Sequence, residues 1–214
     1  MKKFIQNYIN KGIKENTMTK IGIFFLVISI AGIIGFIYEV LFYFLDSGFT
    51  TFYWRCDNFL PWINIYAIGS ILIFIFAYKD RKKPIIVFLK SSIVCGILEL
   101  VSGYFLYSVL NLPRAWDYNK EILNFGNIGG FVCLRSVLFF GLASWLLIYL
   151  VIPFCYYLSK KMNKKIFIIF AVSVGSIFLI DEVYNHVVVN IFPVVKATDI
   201  YKSFGIKYKV FIEE

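Results

Sequence analysis

Five apolar runs divide the chain, at about 21–45, 59–78, 84–110, 131–158 and 166–192, with short polar stretches between them. At about 1.5 Å of rise per residue, some 20 apolar residues cross the hydrocarbon core of a bilayer. The pattern predicts an all-α fold, a polytopic membrane helix bundle of about five transmembrane helices. The first run follows a basic stretch but has no small-residue cleavage site after it, so it reads as a retained helix rather than a signal peptide. Residues 111–130 are too polar to span and too patterned for a plain linker, and predict a short amphipathic or re-entrant segment on the outer face. The polar ends, 1–20 and 193–214, read as a cytoplasmic N-terminal segment and an extracytoplasmic tail around a transmembrane domain at 21–192.

Composition strengthens this picture. Of 214 residues, 60% are hydrophobic and only 16% charged, with a mean hydropathy of +0.76. Soluble domains run at about 45–50% apolar and about 25% charged. A single soluble core could not hide 24 Phe and 15 Tyr as well as the aliphatic residues. A soluble enzyme, a secreted disulfide scaffold and a disordered chain are excluded. Cys56, Cys95, Cys133 and Cys155 show no CxxC spacing and read as small core residues, not as a redox or metal framework.

The net charge of +9 would suggest nucleic acid in a soluble protein. Here the lysines flank apolar spans, where anionic headgroups account for them and no nucleic acid partner is expected. Thirteen Lys/Arg fall at 2–20, 79–83 and 160–165, against seven in the remaining connections and tail. The positive-inside rule then predicts a multi-pass protein of the bacterial cytoplasmic membrane, with the N-terminus in the cytoplasm and the C-terminus outside.

Within the spans, or at their edges, lie Glu39, Glu99, Arg135, Asp181, Glu182 and His186. An ionisable group at the bilayer centre costs roughly 2.5–3.5 kcal/mol on insertion scales, so such groups face partners or water. Their depths agree, which predicts one polar cavity, open to the outside and shared by the first, third, fourth and fifth spans. Gly35, one turn before Glu39, and Gly96 and Gly103 around Glu99 would let a second backbone approach. Two uses of Glu39 and Glu99 stay open: pairing with Arg135 or Arg114 to lock helices, or binding a substrate or proton. Trp54, Trp62, Trp116 and Tyr118 fit an interfacial belt as well as a ligand contact. Asp181, Glu182 and the single His186 do not form a metal-protease pattern, and no GxxxxGK[ST] loop is present. No cofactor, metal or catalytic residue is assigned.

Three segments together resemble a known family: Gly35-Phe36-Ile37-Tyr38-Glu39; Leu60-Pro61-Trp62-Ile63-Asn64-Ile65-Tyr66-Ala67-Ile68-Gly69; and the stretch from Glu99 to Pro153. The last holds Trp116-Asp117-Tyr118, Asn124, Gly126-Asn127-Ile128-Gly129-Gly130 and Cys133-Leu134-Arg135-Ser136. Over about residues 25–185 the chain is similar to the bacterial membrane family called Putative ABC-transporter type IV, the CmpB-like permeases. Members commonly carry Glu at the positions matching Glu39 and Glu99, and often Asp at that of Asp181. The second span departs from the family's Gly-Pro-x-x-Pro-x-Tyr-Gly, keeping Pro61, Tyr66 and a Gly at 69.

The resemblance implies a permease. The expected function is membrane transport of an unidentified solute through the outward-facing polar cavity, whose carboxylates would bind a cation, a cationic solute or a proton. The substrate-binding set is Glu39, Glu99, Trp116, Asp117, Tyr118, Asn127, Arg135 and Asp181, with Arg135 as counter-ion and 111–130 as lid. The expected partners are the lipid bilayer, a separate ATPase subunit docking on the short cytoplasmic loops, and further copies of the chain, because five helices are few. Two alternatives stay open. One is a membrane-embedded enzyme acting on lipid or cell-envelope precursors at the outer leaflet, with Glu99 or Asp117 as general base. The other is a non-catalytic membrane partner or regulator.

Overall fold

The computed structural model describes residues 2–208, so the end of the tail expected at 193–214 lies outside the described residues. Among the described residues seven helices follow one another: α1 (Lys2–Lys11), α2 (Thr17–Asp46), α3 (Asn64–Phe76), α4 (Pro84–Val109), α5 (Leu134–Lys161), α6 (Lys164–Ile191) and α7 (Ala197–Ser203). Local sequence sets several of the starts. The Asn16 side chain accepts the Thr19 N–H at 3.0 Å ahead of α2, Pro84 opens α4, and Asn163 accepts the Lys165 N–H at 3.0 Å ahead of α6.

Four helices, α2, α4, α5 and α6, are long and apolar enough to cross a membrane. The fifth, α3, is apolar but has only 13 residues, about 20 Å of helix. The run at 59–78 is therefore helical only from Asn64. Pro61 has no N–H to contribute to a helix, and the N–H groups of Phe59 and Leu60 are both taken by the Asp181 carboxylate at 2.9 Å.

Large apolar side chains stand exposed on the outer faces of the long helices, among them Ile93, Ile97 and Val101 on α4 and Ile169 and Ile180 on α6. This is the surface of a chain whose solvent is lipid. Small residues bring the helices together inside. α2 and α6 run parallel, with Gly22 against Ala171 and Gly175 under the Phe25 ring. α4 and α5 run antiparallel, with Gly96 against Val137 and Gly141 against Phe88. The bundle thus has a lysine-rich end, with α1 and the short turns before α4 and α6, and a loop-rich end. The loop-rich end holds loop 1 (47–63), loop 2 (110–133) and the segment from 192 onward.

Each of α4, α5 and α6 contains a π turn, at Phe105–Val109, Leu147–Val151 and Tyr184–Val188. For the second the cause is Pro153. In an i→i+5 pattern its N–H would serve the Ile148 carbonyl, and proline has none. Tyr8 of α1, fully buried, donates its hydroxyl to that carbonyl at 3.0 Å. An unpaired carbonyl in the bundle is thereby satisfied and α1 is fastened to it. Tyr8→Phe is expected to cost about 1 kcal/mol, the net value of a buried hydrogen bond. It should cost less in a Pro153→Ala background, where residue 153 regains its N–H. Equal losses in both backgrounds, measured by thermal unfolding in nanodiscs, would refute this account.

Candidate functional site

The loop-rich end carries a network of charged and hydroxyl groups on α2, α3, α4, α5 and both loops. On α2, Tyr38, Glu39, Phe42 and Tyr43 lie at helical spacing, so two adjacent faces turn toward α5 and the loops. Gly35 makes room for Tyr66 of α3, since a Cβ there would overlap the Tyr66 ring. Tyr66 donates its hydroxyl to Glu39 Oε1 at 3.2 Å. Arg55 of loop 1 donates through Nε to Glu39 Oε2 at 2.9 Å and through Nη2 to the Ala115 carbonyl of loop 2 at 3.0 Å. Its guanidinium lies 4.3 Å from the Tyr43 ring centroid. Burial opposes the charge on Arg55, yet Glu39, Tyr43 and Glu121 around it raise its pKa above the ordinary arginine value, and it stays cationic.

Glu121 of loop 2 reaches into the same space. It accepts from the Tyr43 hydroxyl at 2.5 Å and from Arg135 Nη2 at 2.7 Å. Arg135 is held further by the Ile122 carbonyl at 3.1 Å and by the Phe42 ring, whose centroid is 3.9 Å from the guanidinium carbon. Glu99 of α4 completes the network. It accepts from the Tyr118 hydroxyl and, at 2.6 Å, from the Ser136 hydroxyl of α5. Burial, then the Glu99 carboxylate, raises Tyr118 well above the ordinary phenol range, which keeps it a hydrogen-bond donor. Among the described residues no cationic side chain lies within ion-pair distance of Glu99.

Loop 2 has its own frame, and this is where Asp117 and Asn127 act. Asp117 accepts from the Asn119 N–H at 3.0 Å and its amide at 2.8 Å, Asn127 donates to Asn119 Oδ1 at 2.7 Å, and the Gly130 N–H donates to Asn127 Oδ1 at 2.8 Å. Arg114 faces Asp117 at 3.7 Å and donates to the Gly129 carbonyl at 2.9 Å. Gly130 stands at φ +80°, and a Cβ on it would meet the side chains of Asp117, Arg114 and Asn119. Trp116 donates to the Phe131 carbonyl at 2.8 Å and packs over Gly103. These contacts aim Tyr118 down at Glu99. Residues 111–130 contribute one 3-10 turn, Tyr118–Lys120, and otherwise fold as a compact loop.

A cavity of about 30 Å³ lies at the centre of the network. That is room for one or two waters or one small cationic group. Of the residues singled out in the sequence, Glu39, Glu99, Trp116, Tyr118 and Arg135 line it; Asp117 and Asn127 stand behind it in the loop frame. Asp181 is elsewhere. It accepts from the Phe59 and Leu60 N–H groups, from Trp62 Nε1 at 3.0 Å and from Asn185 at 2.8 Å, and so clamps loop 1 to α6. Neighbouring Glu182 takes Asn58 at 2.7 Å and His186 at 3.3 Å. The single cavity expected from residue depths is thus two clusters, and the one around Glu99 is walled by α3 where α6 was expected.

The expected pairing also changes. Arg135 meets neither Glu39 nor Glu99, because Glu121 takes its guanidinium. Glu39 is matched by Arg55, and Arg114 faces Asp117 of loop 2 and the Tyr107 ring of α4. Tyr43 stands four residues after Glu39, a spacing that could have pointed to it. Nothing in the sequence around Glu121 separates it from a solvated loop carboxylate.

The model of the protein family described as Putative ABC-transporter type IV matches residues 23–186, which include every residue that lines the cavity. No curated protein and no solved structure matches the chain.

Proposed function

The chain belongs to the Putative ABC-transporter type IV family, and from that premise we propose that it is a permease component that binds a cationic solute at Glu99. One observation carries this reading. Three carboxylates, Glu39, Glu99 and Glu121, line the cavity with the Arg135 guanidinium, Arg55 stands behind Glu39, and each guanidinium is already engaged by a carboxylate other than Glu99. A cation entering the cavity finds one uncompensated carboxylate, held by two hydroxyls and walled from lipid, where electrostatic attraction is stronger than in water. Glu39 acts beside it as the second carboxylate, in reach of a solute that displaces Arg55.

The basic segments around α1, the turn at 77–83 and the α5–α6 turn support a cytoplasmic placement of the lysine-rich end in a bacterial membrane, with the cavity near the outer surface. A separate ATPase subunit would dock at the lysine-rich end, where α1 adds surface to the two short turns. Loop 2 would be the lid, since its contacts through Tyr118 and Glu121 close the cavity.

Trp116 lines the cavity and supplies the test. Chlorides of sodium, potassium, ammonium and methylammonium are titrated into the purified protein in nanodiscs while tryptophan fluorescence is followed. At least one of these cations is expected to give a saturable change. Glu99→Gln should weaken that response at least tenfold while its melting temperature stays near that of the wild type. An undiminished response in Glu99→Gln, or no response to any of the four cations, refutes the reading.

A further inference from the structure

A second cavity, of about 40 Å³, adjoins the first on the side of the bundle interior. Its walls are mostly apolar: Ala31, Ile34, Ile73, Ala143, Leu147 and Val151 come from α2, α3 and α5, and Ser70 of α3 adds a hydroxyl. The rings of Tyr66, Phe139 and Phe140 line both cavities and form the partition between them. A carboxylate without a counter-ion therefore stands at one end of an aromatic-walled space whose far end is largely aliphatic, its Ser70 hydroxyl already donating to the Ala67 carbonyl.

This arrangement discriminates between cations. A hard inorganic ion gives up its water only for a shell of several oxygen ligands. Around Glu99 the carboxylate oxygens already accept from Tyr118 and Ser136, those of Glu39 and Glu121 are taken by Arg55, Tyr66, Arg135 and Tyr43, and the rest of the wall is largely the carbon of aromatic rings. Aromatic faces attract an organic ammonium group and do not replace the hydration of a small metal ion. The second cavity offers nothing to an inorganic ion but accommodates an alkyl arm.

Resting on the cation-binding reading above, we propose that the solute is an organic ammonium ion with a short apolar arm. Its charged head sits between Glu99 and the rings of Trp116, Tyr118 and Tyr66, and its arm passes the Tyr66–Phe140 partition into the aliphatic cavity. The partition opens by rotation of the Phe140 ring, which carries no polar group, while the Tyr66 hydroxyl stays on Glu39. Gly35 gives the Tyr66 ring its space on the α2 side.

The test is a series of n-alkylammonium chlorides from methyl to hexyl, with sodium and potassium chloride as comparison, titrated into the protein in nanodiscs. Binding is read from tryptophan fluorescence and from the melting temperature. Burial of each methylene is expected to tighten binding about threefold to fourfold up to the length that fills the second cavity. Ala143→Leu narrows that cavity without touching Glu99. It should abolish the dependence on chain length and leave methylammonium binding within about twofold of wild type, a factor well below one methylene.

Three results overturn the proposal in distinguishable ways. Sodium or potassium binding that depends on Glu99, with no gain along the alkyl series, refutes the ammonium assignment and leaves the cation site standing. A chain-length gain that persists in Ala143→Leu reflects partition into lipid and refutes the second cavity as the place of the arm. No response to any of these cations removes both readings. Should Ala143→Leu fail to fold, Val151→Phe narrows the same cavity from its far side and takes its place.

Discussion

Glu121→Ala is expected to destabilise the protein by about 3–5 kcal/mol, the range for a buried ion pair that loses one partner. The Glu121 side chain is 1% exposed and that of Arg135 12%, so water does not replace what is removed. Two groups lose their acceptor at once. Arg135 keeps the Ile122 carbonyl and its contacts with the Phe42 and Tyr118 rings, while the Tyr43 hydroxyl loses the carboxylate it bonds at 2.5 Å in the intact protein. For a chain of this size the loss corresponds to a melting temperature lower by about 10 °C. The double variant Glu121→Ala with Arg135→Ala should lose less than the sum of the single variants by more than about 1 kcal/mol, since removing both charges leaves neither unpaired. A Glu121→Ala protein melting with the wild type would show that loop 2 is not anchored by this pair.

The second large effect is expected at Asp181. Asp181→Ala strips an acceptor from the N–H groups of Phe59 and Leu60 and from the Trp62 indole, all in loop 1. Each buried donor left unpaired costs about 1–3 kcal/mol. Loop 1 would move to rehydrate them, which sets the net loss at about 3 kcal/mol and frees Arg55 from Glu39. Cys56 reports this directly. It is 2% exposed, and burial pushes its thiol up to about 12, so in the intact protein it should resist maleimide at neutral pH. In Asp181→Ala it should label readily. A variant that keeps its stability and its unreactive Cys56 but loses the cation response would return Asp181 to the binding set in which the sequence placed it.

These predictions rest on contacts of very different visibility. Glu39, Glu99 and Arg135 were conspicuous because charge in an apolar run is costly wherever the helix faces, and all three line the cavity. Trp116 and Tyr118 stood out through the motif they form, although Asp117 and Asn127 of the same region hold the loop and do not reach the cavity. Glu121 was invisible. In a polar loop a carboxylate has no local signature of burial, and only the fold of loop 2 over Arg135 buries it. Asp181 was visible as an intramembrane acid, but its partners are backbone N–H groups of loop 1, which carry no side-chain identity to read.

The length and apolarity of the runs determined the membrane-spanning class of the protein, because a bilayer imposes its thickness on any segment that crosses it. The same local chemistry set the helix starts at Asn16, Pro84 and Asn163. Tertiary structure alone decided which charges meet. Pairing depends on how each helix is rotated about its axis and on where two loops of 17 and 24 residues, 47–63 and 110–133, come to rest. Those are set by contacts between residues far apart in the chain, such as Gly35 with Tyr66 and Tyr118 with Glu99. A run of apolar residues specifies that a helix forms and spans, and leaves its rotation to the neighbours it packs against.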